Sequence, residues 1–204
     1  MKQFWILTWI LIIPSVYNTG VEISWKSKGY QNGRVKDILV VSVAGDTDSL
    51  AAIGIEKAVA DELRGYNYAA ESAIEHFGKN AFVKIREEET IKQLYPYDAV
   101  IIIALVNDNQ KKGRLVGECD NFFWEYYDSM YVTTHKALST RAAKYYWEVS
   151  FFEISNWKLQ YRMKTLSFPV SQAEIMTCGY GKLIAKDMLK KGTIHQFPEK
   201  LRAF

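Results

Sequence analysis

The chain has 204 residues, 49% hydrophobic, 24% charged and 14% aromatic, with only four prolines. This is the composition of a packed globular protein and supports one domain of roughly 150 to 180 residues plus appendages. Its formal net charge of +3 is too small a surplus to make the basic footprint of a nucleic-acid binder.

At the N-terminus, Lys2 precedes an apolar run from Phe4 to Ile13, the helix-breaking Pro14 and a small-residue patch ending at Gly20. The run is too short to span a bilayer comfortably and has the n-region and h-region of a secretory signal. Residues 1–20 are therefore read as a signal peptide or an uncleaved N-terminal anchor, which places the protein in the periplasm or cell envelope. A buried cytosolic segment is the remaining reading. Contact with a membrane is expected only through that leader, if it is retained. The first hundred residues hold no cysteine, so lipid attachment there is excluded. Cys119 and Cys178 are the two cysteines. In an exported protein they form a stabilising cross-link if their Cα atoms approach, and two free thiols if they do not.

Asp37 to Ala44 is a short continuous apolar run of the kind that fits a strand covered on both faces. Gly45 to Ser49 supplies turn and N-cap chemistry for a helix over Leu50 to Arg64, whose Ala52, Ile55, Val59 and Leu63 form one stripe and which stops at Gly65. Tyr66 to Ala70 reads as a second strand, and Glu71 to Gly78 is ambiguous. Arg86 to Leu94 has acidic residues in its first turn and ends before Tyr95-Pro96, as a helix does. Tyr97 to Val106 is the strongest strand pattern in the chain. Two alternations of strand and helix point to an α/β layer with parallel crossovers.

From Asn107 to Ala143 the periodicity fails, and an insertion loop or an extra hairpin over the sheet is expected. Tyr145 to Lys164 then alternates apolar and polar residues: Trp147, Val149 and Phe151 fall on one face, and Trp157, Leu159, Tyr161 and Met163 on one face of the next strand. Ser155-Asn156 turns the chain, giving an antiparallel hairpin with one face buried and one wet. Its aromatic residues are read as core. A final helix over Ser171 to Lys191 turns Ala173, Met176, Tyr180, Leu183, Ile184 and Met188 inward and ends at Gly192, with Gly179 and Gly181 marking close helix–sheet packing or a kink. His195 to Phe204 reads as a surface tail.

The fold class is therefore α/β: a single domain over residues 37–194 whose mixed sheet has parallel crossovers and a C-terminal antiparallel hairpin, with helices packed on the sheet. The order of Ile38 to Val43, the helix to Tyr66, Tyr97 to Ile102, Tyr146 to Phe152, Lys158 to Tyr161 and the helix closing at Lys191 to Ile194 resembles a group of exported bacterial proteins. These are often lipoproteins, similar in fold to the amino-terminal domain of TolB and to the lipoprotein activators of penicillin-binding proteins. The resemblance implies an envelope-associated binding or scaffold domain with no catalytic residues to carry over. The present chain departs from it in lacking a leader cysteine.

Asp46 and Asp48 follow a central strand with the spacing of a phosphoryl-transfer pair, in which one carboxylate attacks and the other moves protons. Capping of the next helix uses the same residues, and a hydrolase or phosphatase using them is the alternative to a non-enzymatic role. No Gly-x-x-x-x-Gly-Lys-Ser/Thr and no Gly-x-Gly-x-x-Gly occurs, so no phosphate-cradling loop is expected. His76, His135 and His195 lack metal-ligand spacing, and neither a metal nor a cofactor is expected. A thiolate pair of Cys119 with His135 has no local nucleophile motif behind it.

The feature that exceeds the needs of a small core is the cluster Phe122, Phe123, Trp124, Tyr126 and Tyr127, with Lys111, Lys112 and Arg114 upstream. Exposed, Phe122, Trp124, Tyr126 and Tyr127 would anchor a partner, either an envelope protein or a cell-wall component such as a glycan. Buried, they would cover a face or edge of the sheet. A subunit that self-assembles through this segment is a further alternative.

Overall fold

In the computed structural model, residues 19–31, 35–43, 50–78, 80–85, 87, 94–107, 123–130, 144–169 and 174–198 are described. The strands are β1 (Val21–Lys26), β2 (Asp37–Val43), β3 (Ala69–Ser72), β4 (Ala99–Asn107), β5 (Tyr145–Glu153) and β6 (Lys158–Thr165). They form one sheet in the order β1-β6-β5-β4-β2-β3. β2 runs parallel to β3 and β4, and the pairs β4–β5, β5–β6 and β1–β6 are antiparallel. The mixed α/β sheet is thus present. Its N-terminal edge strand β1 lies just after the expected leader and outside the expected domain limits.

The helices are α1 (Leu50–Gly65), α2 (Ala73–Phe77), α3 (Ala81–Lys84), α4 (123–130) and α5 (Thr177–Lys190). On one face of the sheet, α1 and α5 cover Ile38, Val40, Ile101, Ile103, Trp147, Val149, Phe151, Tyr161 and Met163. On the other, α2, α3 and α4 cover Leu39, Val41, Val43, Val100, Ile102, Ala104 and Phe152. The expected stripe of α1 is its buried face, since Ala52, Ile55, Val59 and Leu63 are all sealed. Gly65 is the last residue of that helix, and Asn67 (φ 67) supplies the left-handed turn that ends it. α5 starts later than its periodicity suggests, at Thr177, and ends at Gly192 with φ 68. Of the expected helix over Arg86 to Leu94 only Glu87 and Leu94 are described, and the turn over Gly45 to Ser49 lies outside the described residues.

Two expectations for the hairpin change. β5 is buried over eight of its nine residues, so it has no wet face. The physical reason is α4, whose Phe123 and Tyr126 rings lie 5.4 and 5.3 Å from Phe152 on the side expected to meet water. Leu159 also faces away from Tyr161 and Met163 and joins the second-face core. Phe152 pairs with Leu159 while its neighbour Phe151 pairs with Tyr161, so Gln160 is an extra residue that reverses the alternation.

The segment read as a tail packs back where it is described. His195 N–H donates to the Tyr68 hydroxyl at 2.9 Å, Phe197 N–H donates to Tyr66 O at 3.2 Å, and the Phe197 ring sits 4.9 Å from that of Tyr68.

α1 carries one carboxylate into the interior. Glu56 is fully buried and bolts three elements together: Ser42 N–H donates to it at 2.8 Å, Ser72 Oγ at 2.9 Å and Ile74 N–H at 3.1 Å. Burial pushes its pKa up to about 7, against the pull of these three donors. A Glu56→Ala change strands the donors and is expected to lower stability by about 3 kcal/mol, read from urea unfolding. The folded pKa lies above the unfolded value near 4.5, so this contribution is full below pH 4.5 and is lost as pH rises through 7. The Glu56→Gln variant should flatten that slope. A Glu56→Gln curve that still falls between pH 4.5 and 7 would assign the slope to another group.

Gly181 marks close packing, but of helix on helix, against α1, and not of helix on sheet as expected. A Cβ built there would lie 2.6 Å from Ala58 Cβ and 2.8 Å from the Ala58 carbonyl carbon. Gly181→Ala must therefore separate α1 from α5 and is expected to cost about 2 kcal/mol in the same assay, with little change for Gly179→Ala, whose Cβ would meet Thr19 at an ordinary 3.5 Å.

Candidate functional site

α4 rises from a segment whose flanks lack any period, yet Phe123, Tyr126, Tyr127 and Met130 stand at helical spacing, and all four are fully buried. The Tyr127 ring stacks on Phe82 with centroids 4.1 Å apart, and its hydroxyl donates to Phe82 O. The Tyr126 hydroxyl donates to Glu148 Oε1 at 3.1 Å. Arg162 lies 5.1 Å over the Tyr126 ring and donates to the same carboxylate oxygen through Nε at 3.2 Å and a terminal nitrogen at 2.8 Å. Burial, then Glu148, hold the Tyr126 hydroxyl well above its ordinary pKa. Tyr126 and Tyr127 are thus internal to the fold, Trp124 is partly buried, and Phe122 lies outside the described residues.

The surface that Trp124 joins is built from two other segments. Trp157, in the Ile154–Trp157 turn between β5 and β6, has its ring 5.6 Å from Trp124, and Tyr95, 65% exposed, has its ring 6.5 Å from Trp157. Phe123 supports both indoles from below at 4.7 and 5.0 Å, and its N–H donates to Trp157 O at 3.0 Å, fixing the start of α4 to the turn. Trp157 was expected on the strand face with Tyr161 and Met163. It is instead a turn residue packed against the opposite core, because the turn runs to position 157 and Gln160 shifts the register. Its φ is 55, a left-handed backbone that costs a residue with a Cβ about 1–2 kcal/mol.

A second cluster lies in a shallow cleft of about 290 Å³ lined by Arg64, Glu71, Ser72, Glu75 and His76. Glu71 Oε2 accepts from the Tyr97 hydroxyl at 2.5 Å and meets His76 Nδ1 at 3.0 Å. Both members of the ion pair are about half exposed, which leaves the cluster to solvent. Among the described residues, no three His, Cys, Asp or Glu side chains converge as a metal site. Cys178 is an exposed free thiol. Asp46, Asp48, Lys111, Lys112, Arg114, Cys119 and His135 lie outside the described residues. No described helix is long and apolar enough to cross a membrane.

No protein-family model and no curated protein matches the sequence. Among solved structures, the chain is similar to two of PelC from Paraburkholderia phytofirmans, each a dodecamer. To a single-substitution variant it is 16% identical, with 81% of this chain and 95% of that chain covered and a TM-score of 0.41. To the other PelC structure it is 14% identical, with 79% and 96% covered and a TM-score of 0.39. A likeness of that size assigns neither a family nor an assembly to this chain.

The Glu148–Arg162 pair has side chains only 9% and 12% exposed. Arg162→Leu leaves a buried carboxylate without its cation and is expected to lower stability by about 3 kcal/mol. The double change Glu148→Leu with Arg162→Leu should recover most of that loss in urea unfolding. If the double variant is as unstable as the single one, the ion pair itself holds α4 in place.

Proposed function

We propose that this chain is an exported, non-enzymatic component of the periplasm or cell envelope that binds a partner through the face made by Tyr95, Trp124 and Trp157. The carrying observation is that face: three large aromatic rings left partly or largely open to solvent, two of them, Trp124 and Trp157, braced on Phe123, and Trp157 held in a turn with a costly backbone. Rigid aromatic rings give contact area with little loss of side-chain freedom on binding, which suits an anchor. The leader over residues 1–20, with Lys2 and the apolar run Phe4 to Ile13, supports export.

The titratable groups support a binding rather than a catalytic role. A carboxylate raised to about 7 often marks a general base, but Glu56 has this value while sealed from solvent, with its oxygens taken by Ser42, Ser72 and Ile74.

Photo-crosslinking in intact cells tests the reading, with a photo-reactive residue at position 124 and a control at exposed Lys186 on α5. The expected result is a discrete envelope species captured from position 124 alone, and no capture when residues 2–20 are deleted and the protein stays in the cytoplasm. Equal capture at both positions, or recovery of the full-length protein in the cytoplasm, would overturn it.

A further inference from the structure

The backbone of the β5–β6 turn sets Trp157 apart. Among the described residues, the left-handed positions are taken by Asn67, Asn80, Gly78, Gly192 and Trp157. Asn and Gly are the residues that tolerate this conformation, and Asn156 stands immediately before Trp157 without taking the position. A tryptophan kept where every comparable residue is Asn or Gly indicates that its ring, and not the turn, is what the position serves.

The surroundings say what the ring is presented to. Trp157 and Trp124 lie 5.6 Å apart with their planes tilted by 35°, and Tyr95 meets Trp157 edge-on at 6.5 Å and 82°, so the two indoles make the platform and Tyr95 stands as a wall at its end. Neither indole N–H has a hydrogen-bond partner among the described residues, and neither is buried, so both remain donors. Among the described residues the charges beside the two indoles are of mixed sign, with Glu125 following Trp124, Lys158 following Trp157, and Glu153 accepting from Asn156 in the same turn. The turn adds exposed, uncharged Ser155 and Asn156. An anionic lipid surface calls for clustered cations, and the described residues of this face hold no such cluster.

A ligand matched to such a face is uncharged, has C–H groups to lie on electron-rich rings and hydroxyls to accept from N–H donors. We propose that Trp157 and Trp124, walled by Tyr95, form a platform for a neutral glycan strand, with pyranose rings stacked on the indoles and their hydroxyls accepting from the two indole N–H groups. This rests on the reading of the protein as a binding module and names its ligand class. Phe123 holds the two indoles in place before the ligand arrives, so little ordering of them remains to be done on binding.

The test is calorimetric titration of the full chain with chitotetraose, cellotetraose and maltotetraose, followed by Trp157→Gly and Tyr95→Ala. Glycine keeps the left-handed turn, so Trp157→Gly removes the ring without unfolding the hairpin, and an unchanged urea midpoint verifies this. Saturable binding of at least one tetrasaccharide, weakened about tenfold by each substitution, is the expected result. No saturable binding to any of the three, binding indifferent to both substitutions, or binding only to phosphatidylglycerol vesicles overturns the glycan assignment. If position 124 captures an envelope protein in cells while the sugars fail, the binding-module reading stands and the glycan falls. Failure of both experiments removes both.

Discussion

The structure is governed by the absence of a wet side on its central strands. Every residue of β2 from Ile38 to Val43, of β4 from Ala99 to Val106 and of β5 from Tyr145 to Phe152 is buried. Strands of this kind must be covered twice, and the chain meets the requirement with two unlike layers. α1 and α5 close one face as a long pair in close contact, with no room at Gly181 for even a methyl group. Short helices close the other, held by single polar ties: Glu56 to the start of α2, Tyr127 to the carbonyl of Phe82, Tyr126 to Glu148.

The second layer joins fold to function. α4 covers the hairpin with Phe123, Tyr126, Tyr127 and Met130, and through Phe123 the same helix braces the two partly buried indoles. The core and the proposed platform meet at Phe123, so both indoles stand on a fully buried ring. This is the support that a rigid recognition surface needs. It also explains why an aromatic-rich segment divides its rings between interior and surface within a single helical turn.

The long uniform patterns were legible in the sequence. The apolar runs of β2 and β4 and the stripe of α1 declare themselves because burial on both faces, or on one helical face, leaves a regular trace. The trace of α4 is only two turns long and lies within a segment lacking any period, although Phe123, Tyr126, Tyr127 and Met130 carry the helical spacing. β1 also alternates, as Val21-Glu22-Ile23-Ser24-Trp25, but its proximity to the apolar N-terminus conceals it. The register of β6 was not legible, because one inserted residue, Gln160, reverses the faces of a strand without altering its composition. The candidate site was legible only at Trp124. Tyr95 and Trp157 come from distant turns, and nothing local marks a residue that joins others only in space.

β1 carries a consequence for how the molecule is assembled. It pairs with β6, Val21 opposite Thr165 and Lys26 opposite Tyr161, so the first strand of the sheet closes its longest loop. Pairing over such a separation in sequence is slow compared with the hairpin of β5 and β6, and until it forms, β6 presents a row of unpaired backbone groups along an open edge. Under the export proposed above, the segment that emerges earliest is the one that must wait for the rest before it finds its place.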